Sequence, residues 1–272
     1  MDWQALSWPC SLARPPKVIH FSMYDVDHPP GHARTYRMKV WSLHLYRYAA
    51  EQIVDGVTVP IRPGYAGITP PDKKLQYRFT GPSMHGSAHF MAPVPKGAAR
   101  QSLPVMQDLG DEFEGAYAEL EEAVGCFANE PARARAILWH LLWRLARPHE
   151  DEPEAHAADD GAPASDMHPA IRAALAHIEL HLSGQLAPAD VVAHASVSHN
   201  HLNRLFDSTL GESIGAYITR RRVERARHLL VNSTIPIKAV AIEVGIPDPH
   251  LFNKTVRKVL GESPSAVRAR GT

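Results

Sequence analysis

Apolar and polar positions change rhythm along the chain. From about Val18 to Val94, short apolar runs are broken repeatedly by Pro and Gly. Among these runs are Val40-Trp41-Ser42-Leu43-His44-Leu45-Tyr46 and Leu75-Gln76-Tyr77-Arg78-Phe79. Aromatic and β-branched residues bounded by turn formers predict strands. From about Leu103 to Ala146 the spacing turns helical. Met106, Leu109, Phe113, Tyr117, Leu120, Val124 and Phe127 recur at steps of three or four and make one stripe. A second helix near Ala132–Ala146 carries Leu138, Leu141, Leu142 and Leu145 on one side, with Trp139 and Trp143 a turn apart. A helix apolar on two faces needs two partners. They are either the β region and a second copy of the chain, or two parts of one subunit's core. After residue 168 everything reads as helix. Ile171, Leu175, Ile178 and Leu182 line a first one, which stops at Ser183-Gly184.

An internal repeat organises that last part. Leu210-Gly211-Glu212-Ser213 returns as Leu260-Gly261-Glu262-Ser263. At the same offset Ser198 meets Asp248, Leu202 meets Phe252, Arg204 meets Lys254 and Ala216 meets Ala266. Each copy predicts a short helix (188–194 and 237–244), a tight turn, and a second helix. Ser198 or Asp248 offers a capping oxygen to that second helix, and Gly211 or Gly261 ends it. This is the helix-turn-helix plan. A long helix over about 214–231 joins the copies and carries Arg220, Arg221, Arg222, Arg225 and Arg227. A rigid connector would hold two units at the separation that successive major-groove segments demand.

Charge sharpens this division. Of the 272 residues, 29 are Lys or Arg and 29 are Asp or Glu. Residues 169–272 hold 13 of the bases against 8 acids, whereas 148–168 hold no base and 7 acids. The positive excess lies where a polyanion would bind. The acidic Ala- and Pro-rich stretch 148–168 cannot bury enough apolar surface to fold, and reads as a linker. Expected domains are therefore 1–147, the linker 148–168, and 169–272. No secretory signal, no membrane-length apolar run and no disulfide or metal site at Cys10 and Cys126 are expected from the sequence. A cytoplasmic location is the expectation.

The segment from His168 to Arg270 resembles the DNA-binding domain of the AraC/XylS family of transcription regulators. The residues that carry the likeness are Ser198, Leu202, Arg204-Leu205-Phe206, Gly211-Glu212-Ser213, Tyr217, Arg222-Val223, Ala226 and Leu229-Leu230. They continue through Ile235, Ala239-Val240-Ala241, Gly245, Asp248, Phe252, Gly261 and Ser263-Pro264. Ile246, Lys254, Val256 and Val267 depart from the family's usual Phe, Arg, Phe and Tyr. The apolar exchanges keep core character, while Lys254 is a less well-shaped base reader than Arg. The second unit is thus expected to supply affinity more than sequence choice. Exposed first-turn residues of the second helices reach base edges. These are Asn200, Asn203 and Arg204, with Ser198 and His199 beside them, and then His250, Asn253 and Lys254. Leu202, Leu205, Phe206, Leu251, Phe252 and Val256 are expected to hold the helices to the core, although Leu251 has the alternative of a thymine methyl. Arg220, Arg221, Arg225 and Arg227 are candidates for phosphate, or for a solvated helix face.

Residues 18–94 resemble, more distantly, the cupin-like ligand-binding barrel common in the same family. The likeness rests on Val57-Thr58-Val59-Pro60-Ile61-Arg62-Pro63-Gly64 and Ala66-Gly67-Ile68-Thr69-Pro70-Pro71. It implies an enclosed small molecule, with Trp41, His44, Tyr46, Tyr48 and Tyr77 as candidate lining residues. His28, His32, His44, His85 and His89 are scattered in sequence, and Asp72-Lys73-Lys74 stands where a family histidine often lies, so no metal and no cofactor are expected. No nucleophile with a nearby base is visible. The expected fold is α+β: a cupin-like β-barrel with a helical hairpin, then an all-α domain with two helix-turn-helix units. The expected function is transcription regulation on double-stranded DNA, controlled by a small-molecule effector, in a homodimer that contacts RNA polymerase if it activates. Two other readings keep the DNA-binding domain. One gives the N-terminal half a partner protein, and the other makes it a cupin enzyme.

Overall fold

The computed structural model describes residues 2–92, 100–148, 168–184 and 186–270. Most of the expected linker, residues 149–167, lies outside these described residues. The chain divides into two units, Met1–Phe21 with Asp27–Ser165, and Ser22–Val26 with Asp166–Thr272.

In the first unit the Pro- and Gly-broken texture becomes strands. They are β1 (Ser7–Cys10), β2 (Lys17–Val26, whose Ser22–Val26 part is counted with the second unit), β3 (Ala33–Arg37), β4 (Trp41–Tyr46), β5 (Ala50–Val54), β6 (Val57–Ile61), β7 (Tyr65–Thr69), β8 (Lys74–Phe79) and β9 (Ser83–Met91). The chain continues through β10 (Gln101–Pro104), β11 (Met106–Asp108), α1 (Phe113–Cys126), α2 (Pro131–Leu145) and β12 (Arg147–Pro148). One sheet has the order β11-β7-β4-β9-β2, a second β3-β8-β5-β6, and a third β1-β10-β12. The first two face each other: Gln52 on β5 donates to Thr69 on β7 at 3.3 Å. No hydrogen-bonded closure joins the sheets among the described residues, so the β-rich unit is described as facing sheets, without a closed form of the expected cupin-like barrel. The helical hairpin is present, but it starts later than the periodicity suggests. Met106 and its neighbours are strand, and the helix proper begins at Phe113. Trp139 finds a partner within its own subunit, donating its indole N–H to the Leu12 carbonyl at 2.9 Å.

The second unit is helical: α3 (Pro169–His181), α4 (Pro188–Ala195), α5 (His199–Leu210), α6 (Ile214–Asn232), α7 (Ile237–Glu243), α8 (Pro249–Leu260) and α9 (Pro264–Ala269). The repeat has a local physical cause. Gly211 and Gly261 adopt φ of 71° and 78° at the ends of α5 and α8, a region open to glycine at little cost. Ser213 and Ser263 then cap the next helices by accepting from the amides of Ala216 and Ala266. Ile171, Leu175, Ile178, Val191, Leu202, Phe206 and Ile214 pack α3 to α6 into one core. Phe252, Val256, Val240 and Val267 are buried likewise in the second copy. No helix among the described residues is long and apolar enough to cross a membrane.

Candidate nucleic-acid interface

Burial on α5 and α8 follows the helical period, and that period decides which residues can meet a ligand. In α5, Leu202 and Phe206 are buried while His199, Asn200 and Arg204 are exposed. In α8, Phe252 and Val256 are buried while His250, Asn253 and Lys254 are exposed. The caps fix both first turns. Ser198 Oγ accepts from the His201 amide at 3.3 Å, and Asp248 Oδ1 from the Leu251 amide at 2.7 Å. The Ser198 hydroxyl is therefore engaged as a cap. Asn203 sits against the His199 ring nitrogens at 3.2 and 3.3 Å, and Arg204 Nε donates to the Asn200 carbonyl at 3.3 Å. The structure thus brings the residues expected to read bases in each unit onto one side of α5 and α8, with Asn203 half-buried and the others exposed.

Two residues on the arc of α8 escaped the sequence reading, namely Arg257 and Lys258, both exposed. Their signal was the same three- and four-residue spacing from Lys254. The two arcs differ in charge. Where α8 has Arg257, α5 has Asp207 at the matching position. The exposed bases of α5 and α8 are therefore concentrated on α8. Leu251 is also placed differently from the core role expected of it: it stands 55% exposed.

Four of the five α6 arginines are engaged in contacts within their own unit. Arg220 forks onto Glu212 at 2.9 and 2.6 Å, reaches Glu224 at 2.8 Å, and lies 4.8 Å above the Tyr217 ring. Arg221 holds Glu179 at 2.6 and 3.0 Å and also pairs with Glu224. Arg222 donates to the Leu182 and Gly184 carbonyls at 3.1 and 2.8 Å. Arg225 is 2% exposed. Its guanidinium lies 4.3 Å from the Tyr24 ring centroid and donates to the Met23 carbonyl at 3.3 Å, both within the same unit. Arg225 so placed does not reach a phosphate, and Arg220 and Arg221 are committed to carboxylates. Arg227 alone of the five is exposed.

The first unit gathers four of the five residues expected to line a ligand site. His44 and Tyr46 alternate inward on β4, their rings 5.6 Å apart. Tyr48 meets Tyr46 edge-on at 5.6 Å, and the Tyr46 and Tyr77 hydroxyls lie 3.4 Å apart. Trp41 belongs to the opposite face by strand alternation; its aromatic neighbour is Phe90, at 6.1 Å. His85, 5.2 Å from His44, and Gln52 join the cluster without having been singled out as lining residues. Burial lowers His44 to about 4, so its ring is neutral near pH 7. Its Nδ1 and the Gln52 Oε1 have no hydrogen-bond partner among the described residues. Burial also raises the Tyr46 and Tyr77 phenols well above their ordinary value. Although His44 lies 5.2 Å from His85 and 6.2 Å from His89, no three His, Cys, Asp or Glu among the described residues are arranged to hold a metal ion.

Sequence comparison supports the C-terminal geometry. Residues 191–270 match the family described as "Helix-turn-helix domain". An HTH-type transcriptional regulator of Bacillus subtilis, YfiF, is 33% identical over 34% of this chain and 29% of its own length. The arabinose operon regulatory protein of Escherichia coli is 33% identical over 36% of this chain and 34% of its own. A solved structure, the C-terminal domain of the response regulator AraT from Geobacillus stearothermophilus, is 32% identical. It covers 39% of this chain and 88% of that one, with a TM-score of 0.38. The chain spans roughly a third of the length of these curated relatives. Residues 191–270 thus match a helix-turn-helix family, and this part of the chain is similar in sequence to the arabinose operon regulatory protein and to other bacterial regulators.

Proposed function

We propose that the chain is a sequence-specific transcription regulator that binds double-stranded DNA through α5 and α8. One observation carries the reading. Asn200 and Arg204 on α5, and His250, Asn253 and Lys254 on α8, stand exposed on capped helices whose opposite sides are fully buried. Arg204 takes guanine with two hydrogen bonds, the asparagines take adenine, and Lys254, Arg257 and Lys258 supply attraction to the backbone. The first unit is read as the effector-binding half. The support is its cluster of uncharged, buried polar and aromatic side chains around His44. The domain limits 1–147, 148–168 and 169–272, a homodimer through residues 103–147, a cytoplasmic location, and contact with RNA polymerase in the case of activation belong to the same proposal. No catalytic step is part of it.

Selection of bound sequences from a random duplex pool tests the reading, using the full chain. The wild type should enrich two segments about 10 base pairs apart. Arg204→Ala should relax preference by roughly 1–3 kcal/mol at one or two adjacent positions of a single segment. Asn253→Ala should disturb the other segment. A wild-type pool that stays random, or an Arg204→Ala pool identical to the wild type, defeats the proposal for that helix.

A further inference from the structure

The second reading helix carries an apolar side chain where the first carries a polar one. Leu251 of α8 matches His201 of α5 at the repeat offset. It is the most exposed large apolar residue among the described ones, at 55%. Three observations fix where it stands. Its amide is bound by Asp248 Oδ1 at 2.7 Å, which places it in the first turn. Pro249 at the start of the helix sets the entry of that turn. Leu251 also lies three residues before Lys254 and seven before Lys258, so the three project to neighbouring parts of one exposed arc.

That arc has the charge of a surface for a polyanion. The helix carries Lys254, Arg257 and Lys258 and no acid. An exposed leucine flanked by bases gains nothing from water and little from an acidic partner. In a major groove, however, one base presents an apolar group at its edge: thymine, with its C5-methyl. We infer that Leu251 is a specificity-determining residue of the second unit, which selects thymine by packing its isobutyl group against that methyl. The inference rests on the DNA-binding reading proposed above and adds a chemical class of base to it. It also changes the role expected for the second unit, because Lys254 supplies attraction while Leu251 supplies choice.

Replacing thymidine by deoxyuridine isolates the contact, since it removes only the methyl group and leaves the pairing edge intact. The full chain is first used to select its preferred duplex. Each thymidine of that duplex is then exchanged singly for deoxyuridine, and dissociation constants are measured for wild type, Leu251→Ala and Leu251→Met. The burial of one methyl group corresponds to about a fourfold change in affinity. Wild type should lose about fourfold at one or two positions. Leu251→Ala should bind the thymidine and deoxyuridine duplexes equally at those positions, and Leu251→Met should keep most of the difference. The variants fold because the replaced side chain is exposed and its cap is a backbone contact. The inference is overturned if no exchange weakens the wild type, or if Leu251→Ala shows the same losses. Selective binding without methyl sensitivity defeats the inference alone, whereas absence of DNA binding defeats the function on which it rests.

Discussion

Replacement of Arg221 separates an arginine that holds the domain together from one that holds DNA. The Arg221 and Glu179 side chains are 15% and 5% exposed. Their contact joins α6 to α3 across 42 residues of sequence. Arg221→Ala leaves the Glu179 carboxylate buried, with only the Tyr217 hydroxyl, at 3.5 Å, still in reach. Breaking a buried pair from one side costs about 3–5 kcal/mol. The lower figure fits here, because one hydrogen bond survives and water can enter beside the partly open Arg221. For a unit of this size that is a fall in midpoint of more than about 10 °C. Amide exchange along α3 and α6 in the full chain reads it directly, since protection there should drop by roughly two orders of magnitude. The second readout is the salt dependence of DNA affinity at a temperature where the variant stays folded. The slope should equal the wild-type slope, whereas Lys254→Ala should lower it by about one unit and leave exchange unchanged. If Arg221→Ala instead lowers the slope by about one and leaves α3 and α6 protected, the guanidinium serves phosphate and the structural assignment is wrong.

Two predictions concern the first unit, which contains all five tryptophans of the chain and can therefore be followed by their fluorescence. A Cβ on Gly67 would lie 2.8 Å from Tyr46 Cε2 and 3.0 Å from its hydroxyl, so Gly67→Ala should destabilise this unit by about 1–3 kcal/mol in urea titration. An unchanged midpoint would mean that Tyr46 has another place to go. Burial lowers His44 from 6.5 to about 4, so as pH falls through 6.5 the unfolded chain takes up its proton first. Stability should be full above about pH 6.5 and about 3 kcal/mol lower near pH 4, and His44→Gln should remove that share of the loss. Equal acid sensitivity in the variant would refute the assignment.

Features with local causes were legible in the sequence. The Leu-Gly-Glu-Ser repeat announces a helix end and the next helix's cap within four residues, and both glycines and both serines occupy those places. The amphipathic period of α5 and α8 likewise gave their buried and exposed sides, apart from Leu251. Features set by distant partners were not legible. A row of arginines on α6 looks like a cationic stripe until Glu179 and Glu212 are placed beside it. On β4, alternation separates Trp41 from His44 and Tyr46, but nothing local says which set points inward. Met106 and Leu109 fell into helical step with Phe113 because a strand and the following helix feed one core. Periodicity records that shared destination, and β11 pairing with β7 shows it.

Gly245 has a consequence for target sites. It ends α7 at φ 73°, and a Cβ there would lie 2.8 Å from the Leu182 carbonyl and 3.1 Å from the Arg222 guanidinium. The turn of the second unit is thus seated on the end of α3 and on the connecting helix, with Arg222 bonded to both Leu182 and Gly184. α5 and α8 are thereby held like teeth on one shaft. On the proposed reading, one extra base pair between the two segments advances the second by about a tenth of a turn. Such a rigid ruler would have to leave one segment unread, so operators for this chain should tolerate substitutions between the segments far better than insertions.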